Sequence, residues 1–344
     1  MKLYEGIVKM KITNLYGLSS TSTALIAQNM VERYAEQLGC KELGVYRYDV
    51  RSDSADMLRT RLDGIFASVQ FNDTIIFQLP TWNGITFDKQ IVERSLVYHK
   101  AKRIIFVHDV IPFMWESNMD WIHVVIDTLN LADVLILPTK QMEERLRPYG
   151  LKVKKIVYQD MWDFETHARV NEAPFSKQLF FLGNIDKFDF IKHYDSELPI
   201  HSYSLPSKNQ NLPKNVFFHD FLPSDRLVEE VNQMGGFGLV WSEDKFTQEY
   251  LKVCLSFKIG TYLSANIPVV IPRYLSNAEI IEKNHLGILV DSIEEAVERI
   301  NQMTPEEYQD MQRHITDFGY LIKNGYFTKK AIVDAVHLAN RSDM

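Results

Sequence analysis

At 344 residues the chain exceeds the usual size of one domain, and its length sets a prior of two domains, each able to bury its own core. Hydrophobic residues make up 46% and aromatic residues 12%, which excludes disorder, and no apolar run approaches the ~20 residues that a membrane helix requires. A net charge of -7 argues against a nucleic-acid groove as the main function and leaves room for small anionic ligands in a local basic pocket.

Lys9 to Leu15 alternates in KMKITNL and breaks at Tyr16-Gly17, after which the cluster SSTSTA leads into the helical pattern ALIAQNMVERYAEQLG. Serines and threonines before a helix supply N-caps, and the amides exposed there are also an anion site; Thr23 falls at this helix start. Gly44 to Val50 reads as a second strand, and residues 52 to 68 hold an amphipathic helix with Met57, Leu58, Leu62, Ile65 and Phe66 on one side. The third strand, Asp73 to Leu79, ends in Pro80-Thr-Trp82-Asn-Gly, a loop at a strand carboxyl end, where open α/β sheets place their ligands. Trp82 suits two roles there, stacking on a sugar face or covering the core. Residues 85 to 99 read as helix and Arg103 to Val107 as strand, which delivers His108-Asp109 at its end. Asp109 is either a loop or helix cap or a carboxylate that binds a ligand or takes a proton. Helix over 121–131, strand over 132–138, helix over 140–149 and strand over 152–158 complete the first half, and the domain hinge is placed in residues 160–176.

The second half repeats the grammar. Gln178 to Leu182 is a strand that ends at Gly183-Asn184, with Lys187 following and Phe188 to Ile191 opening a helix. Glycine there permits close backbone approach of a phosphate or sugar, with which Lys187 could pair. Short strands are expected at 200–205 and 215–219, the latter followed by Phe221 and a helix from Ser224 as N-cap. An apolar run from Phe237 to Trp241 predicts a buried strand, followed by a polar loop, a helix from Phe257 to Ala265 and a strand from Ile267 to Ile271. Lys258 sits near the start of that helix, where it is either a solvated surface lysine or a charge added to the positive end of the helix dipole. A helix over 292–303 starts acidic, Thr304-Pro305-Glu306-Glu307 opens another with a capping box, and residues 326–340 form a last helix.

The start of the chain, MKLYEGIVKMKITNLYG, carries charges at Lys9 and Lys11 and no sustained apolar core, so a cytoplasmic location without a secretion signal is expected. Cys40 and Cys254 are the only cysteines, which argues against a disulfide or a zinc site. The G-x-G-x-x-G, G-x-S-x-G, P-loop and D-x-D strings are missing.

FKIGTYLSANIPVVIP resembles the P-H-K-L-S-x-Y-L-A-x-G-x-P-V-I pattern of GT-B glycosyltransferases that use nucleotide-sugar donors, with Phe257 in place of the histidine and Asn266 in place of the glycine. ITNLYGLSSTSTALIAQNMV, HDVIP and FFLGNIDK resemble the glucosyltransferases that extend the first sugar on serine-rich-repeat adhesins of Gram-positive bacteria, and the likeness runs from residue 11 to about 340. The resemblance implies an α/β protein of the GT-B class, with two facing Rossmann-like domains and a C-terminal helix returning to the first. Its domains would be an acceptor domain over 1–165, a nucleotide-sugar domain over 166–325 and the returning helix over 326–344. The implied activity is metal-independent transfer of glucose, or N-acetylglucosamine, from a UDP-sugar to GlcNAc already on Ser/Thr of the adhesin, by a homo-oligomer, a tetramer by the resemblance, with no cofactor, nucleic acid or membrane span. Lys258, Lys187, Asn184, Gly183 and Thr23 would hold the donor. Phe218 and Phe221 either line the base or pack in the core. Asp109 and His108 are the catalytic candidates, and Tyr16, Gly17 and Trp82 the acceptor candidates. A different class stays open: a catalytically silent GT-B-like subunit that steadies an active partner.

Overall fold

In the computed structural model, which describes residues 9–205 and 212–341, the β-branched and aromatic runs become two separate parallel sheets. Each belongs to its own unit, the described residues up to 159 with 328–341 in one and those between 160 and 327 in the other.

In the first unit the strands are β1 (Met10–Tyr16), β2 (Lys41–Tyr46), β3 (Thr74–Leu79), β4 (Lys102–Val107), β5 (Val134–Leu137) and β6 (Ile156–Tyr158). They run parallel in the order β2-β1-β3-β4-β5-β6. Helices α1 (Thr23–Gln37), α2 (Ala55–Ile65), α3 (Ile85–Arg94), α4 (Ile111–Met114), α5 (Ile122–Leu129) and α6 (Lys140–Leu146) connect them. Every residue of β3 and β5 is buried, as expected of strands covered on both faces. Because the chain builds β2 on one side of β1 and β3 on the other, the carboxyl ends of β1 and β3 flank a switch point, the place where such sheets leave a crevice. Residues 328–341 cluster with this unit; there the Lys329 ammonium lies 5.2 Å from the Tyr34 ring centre and Asn340 Nδ2 donates to Thr74 Oγ1.

The second unit holds β7 (Leu179–Leu182), β8 (Ile200–Ser204), β9 (Val216–Asp220), β10 (Phe237–Leu239), β11 (Val269–Pro272) and β12 (Gly287–Val290) in the order β12-β11-β10-β7-β8-β9, again parallel. Its helices are α7 (Ser224–Met234), α8 (Lys245–Leu251), α9 (Phe257–Ser264), α10 (Ala278–Lys283), α11 (Ile293–Gln302) and α12 (Pro305–Lys323); α13 (Tyr326–Asn340) begins here. The period-two alternation of a strand sends Phe180 and Val269 into one core and Phe181 and Val270 into the other. The switch point lies between β7 and β10, and one side chain of α9 closes it. Tyr262 is fully buried, its hydroxyl accepts from Leu182 N and donates to Phe180 O, and it reaches Leu239 O at 3.2 Å, so it joins both strands. A Cβ on Gly238 would stand 2.1 Å from that ring, so only glycine lets α9 lie this close to the sheet.

Several elements differ from expectation. β2 lies earlier than Gly44–Val50 because its exposed Lys41 and Glu42, at the sheet edge, have the polarity of a loop while pairing in register with Lys11 and Ile12. β6 begins at Ile156 rather than Lys152, since only β5 is available to pair it. Met57, expected on the apolar side of its helix, is 55% exposed, and Leu62 with Phe66 carries the packing instead. Phe188 to Ile191 opens only a 3-10 turn, Asp189–His193. Pro223, not Ser224, is the cap residue of α7. The polar loop after β10 contains α8, capped by Asp244, and α10 and β12 were not anticipated. The capping box at Thr304 is present with both bonds. The reading of the amino terminus as free of a secretion signal falls partly on residues 1–8, outside the described residues, as do residues 342–344 of the last expected segment. Among the described residues no helix is long and apolar enough to cross a membrane.

Candidate active site

At the carboxyl edge of the second sheet, Lys258 is the second residue of α9 and precedes Tyr262 by one turn, so the bond that locks Tyr262 to β7 and β10 also sets where Lys258 stands. Its ammonium lies 5.0 Å from the Phe188 ring centre and 6.0 Å from that of Phe181. Lys187 places its own ammonium 5.6 Å from Phe188. The turn that presents Lys187 is organised by Asn184, whose Oδ1 accepts from Asp186 N while its carbonyl accepts from Lys187 N and Phe188 N. Gly183 sits beneath the same rings: a Cβ would approach Phe181 to 2.8 Å and Phe188 to 3.2 Å. Burial, and then the positive charge of Lys187, pull the Lys258 pKa down to about 8. No carboxylate lies within ion-pair distance of either ammonium among the described residues, although the charge of Lys187 also acts on Asp244, so two like charges stand over aromatic faces, an arrangement that an intervening anion would relieve. Ser256, the cap residue of α9, makes no side-chain bond to the first turn.

Phe218 is half-buried against the core face that contains Trp241 and Phe190, whereas Phe221 is 36% exposed at the end of β9. Of the two, Phe221 has the freer ring.

In the first unit, Tyr16 and Gly17 end β1, which pairs with β3, but the Tyr16 hydroxyl accepts from Asn14 Nδ2 and its ring lies beside Gly44, while Gly17 lies beside Tyr46 and Arg47, so the structure shows no contact that joins them to Trp82 among the described residues. Thr23 is exposed as the first residue of α1, and Ser22 before it caps without a side-chain bond, contrary to the capping expected of this cluster. Trp82 adopts φ 60°, uncommon for a bulky residue, and its ring meets Trp115 edge to face at 6.4 Å.

His108 and Asp109 follow β4 on the adjoining strand. Asp109 is half-buried. His108 is 6% exposed, and its Nε2–H donates to Gln78 Oε1 at 2.8 Å; the direction follows because Gln78 Nε2 already donates to Thr13 O and Gln28 O. Burial pulls the His108 pKa down to about 3, so the ring is neutral near pH 7 and its ring proton is engaged inside the sheet. Gln28 in turn donates to Pro80 O at 2.7 Å. This buried relay of Gln28, Gln78 and His108 ties the ends of β3 and β4 together. Sequence patterning gave no sign of it, because a glutamine inside a strand looks like a solvent-facing residue. Asp88 was also unforeseen: buried in α3, it accepts from Thr81 N at 2.9 Å and Thr81 Oγ1 at 2.6 Å, and burial pushes its pKa up to about 7. Tyr262 did carry a signal, its one-turn spacing from Lys258.

Family models for the N-terminal and C-terminal domains of glucosyltransferase 3-like proteins match residues 9–161 and 179–335. The chain belongs to the glucosyltransferase 3-like family. It is 43% identical to glucosyltransferase 3 of Streptococcus gordonii and 37% identical to that of Streptococcus parasanguinis, each over 332 residues, 96% of this chain and 98% and 99% of theirs. Its fold is similar to that of sucrose-phosphate synthase from Thermosynechococcus elongatus, with a TM-score of 0.67 at 11% identity over 96% of this chain and 98% of the other. Anabaena HepE, solved with UDP, is similar at a TM-score of 0.63 and 11% identity, over 96% and 99%. The glucosyltransferase 3-like chain is therefore a glycosyltransferase of the GT-B fold.

The two departures from the GT-B pattern have structural accounts in this family member. Phe257 packs on Phe164 at 5.5 Å and Trp162 at 6.0 Å, filling an aromatic corner behind α9. Asn266 has φ 56°, the left-handed region that glycine would otherwise serve and that asparagine tolerates better than most residues. Its amide donates to Asn171 O at 3.1 Å and accepts from Thr316 Oγ1 at 3.3 Å. Asn266→Ala should therefore lower the unfolding free energy by about 1–3 kcal/mol, combining left-handed strain with lost buried bonds, and Asn266→Gly should cost less than Ala. Urea denaturation of the two variants checks the order.

Proposed function

We propose that the enzyme moves glucose, or N-acetylglucosamine, from a UDP-sugar to GlcNAc already carried on Ser/Thr of a serine-rich-repeat adhesin, in the cytoplasm and without a metal. The observation that carries this reading is the paired Lys258 and Lys187 at the switch point of the second sheet, a preformed cationic seat for a diphosphate. Support for the donor comes from relatives named for glucosyl transfer and from neighbours of the same fold solved with UDP. The family resemblance supports the acceptor and a tetrameric assembly.

In this mechanism the bond from the sugar C1 to the β-phosphate oxygen breaks while the acceptor oxygen bonds to C1. Lys258 and Lys187 neutralise the charge that grows on the departing UDP, the task a metal performs elsewhere. Asp109 takes the proton of the attacking hydroxyl. His108, whose Nε2–H donates a hydrogen bond to Gln78 Oε1, holds the end of β4 after which Asp109 follows. The family resemblance assigns Thr23, at the amino end of α1, to donor binding, and Tyr16 and Gly17 to acceptor binding.

The test is a panel of UDP-glucose, UDP-N-acetylglucosamine and UDP-galactose with a GlcNAc-bearing peptide and its unmodified counterpart. Transfer of glucose or N-acetylglucosamine to the modified peptide alone is expected. Activity should survive EDTA; loss on chelation, restored by magnesium or manganese, would overturn the metal-free mechanism.

A further inference from the structure

The loop after β3 is held far more tightly than a surface connection requires. Gln28 Nε2 donates to Pro80 O at 2.7 Å, and Thr81 donates twice to the buried Asp88. Asn83 Nδ2 donates to Tyr46 O at 3.2 Å, and its Oδ1 accepts from Tyr48 N at 2.9 Å. Residues on both sides of Trp82 are thus fixed to three other elements, while Trp82 itself is kept at φ 60° with its ring half-exposed. Backbone strain of this kind persists only where surrounding bonds over-determine it. Trp115, 41% exposed, meets it edge to face from the segment that follows Asp109, so the corner joins the loops of two adjacent strands, β3 and β4. Trp82 and Asn83 also line an open groove of about 770 Å³ whose other walls include Arg47, Tyr48 and Gln90. Aromatic faces beside a few fixed polar groups are the composition of a small-ligand site.

We infer that the perpendicular indoles of Trp82 and Trp115 form a corner platform that seats the acceptor's GlcNAc ring, one indole offering its face and the other flanking it, and that Asp88 and Asn83 are positioning residues that hold Trp82 in place for it. The inference rests on the acceptor reading given above. A pyranose ring presents one face of C–H groups, which an indole removes from water, while its hydroxyls and acetamido group stay with the polar side chains of the groove. The platform adjoins the loop that starts at Asp109, so a ring stacked there offers its hydroxyls on the side where the proton is taken.

The experiment is steady-state kinetics with UDP-glucose and the GlcNAc-bearing peptide. Trp115→Ala should raise the acceptor KM about tenfold or more while the donor KM stays within about twofold, and Trp115→Phe should recover most of the loss. Asp88→Ala should likewise raise the acceptor KM alone, and Asp88→Asn, which keeps an oxygen for Thr81, should restore it. Acceptor KM unchanged in folded Trp115→Ala, or donor and acceptor KM rising together with a lower Tm, overturns the platform and leaves the acceptor reading standing. A parent enzyme that transfers nothing to the GlcNAc peptide overturns both.

Discussion

Asp109→Asn lowers transfer to the GlcNAc-bearing acceptor by about 10²- to 10⁴-fold, the usual worth of general-base help, and leaves UDP affinity at the parent value. The division follows from position. Asp109 stands at the carboxyl end of β4 in the first sheet, whereas the cationic seat is built entirely from β7, its turn and α9 in the second. Asparagine keeps the size and the hydrogen-bonding oxygen of the aspartate and removes its basicity, so a role as a loop cap would survive the change and a role as a base would not. A transfer rate within about threefold of the parent, ~0.7 kcal/mol in barrier, would reduce Asp109 to such a cap. Collapse of UDP affinity with the fold intact would instead place the donor on the wrong unit. Isothermal calorimetry with UDP and initial rates with the peptide separate these results.

Lys258→Ala weakens UDP binding by about ten- to a hundredfold, since a charge-assisted bond to phosphate is worth about 1.5–3 kcal/mol. Unchanged calorimetric affinity in the folded variant would remove the lysine from the site. The same residue predicts a pH dependence. Its pKa in the free enzyme is drawn down to about 8 by burial and by Lys187, so the ammonium is lost as the pH rises through that value. The kcat/KM for the UDP-sugar, which reports the free enzyme, should fall on that alkaline limb. In Lys258→Arg, whose guanidinium stays protonated, the limb should disappear or move well upward even if absolute activity drops. A limb near pH 8 that persists in Lys258→Arg would assign it to another group.

The sequence by itself determined most of the two-unit α/β layout. Buried parallel strands such as those at 74–79 and 134–137 are continuous apolar runs, and local capping as at Thr304 needs only neighbours in the chain. The places of Lys258, Lys187 and Asp109, just past a strand or at a helix start, were also legible, because chain order alone supplies them; their roles belong to the proposal. Edge strands and short elements were not: β2 and β6 pair on one side only, so their composition is mixed, and α8, α10 and β12 span too few residues for periodicity to separate them from loops. Only the tertiary structure decided which distant residues meet. Tyr262 binds the backbone of both β7 and β10, Gln78 reaches His108 across 30 positions, and Asn266 replaces a glycine because its φ is positive and its amide has buried partners. These depend on how strands are ordered in a sheet and how closely a helix lies on it. Hydrogen bonds between groups far apart in the chain leave no periodicity for a linear reading to find, which is why the buried glutamines and His108 that tie β3 to β4 could not be read as a network from the sequence.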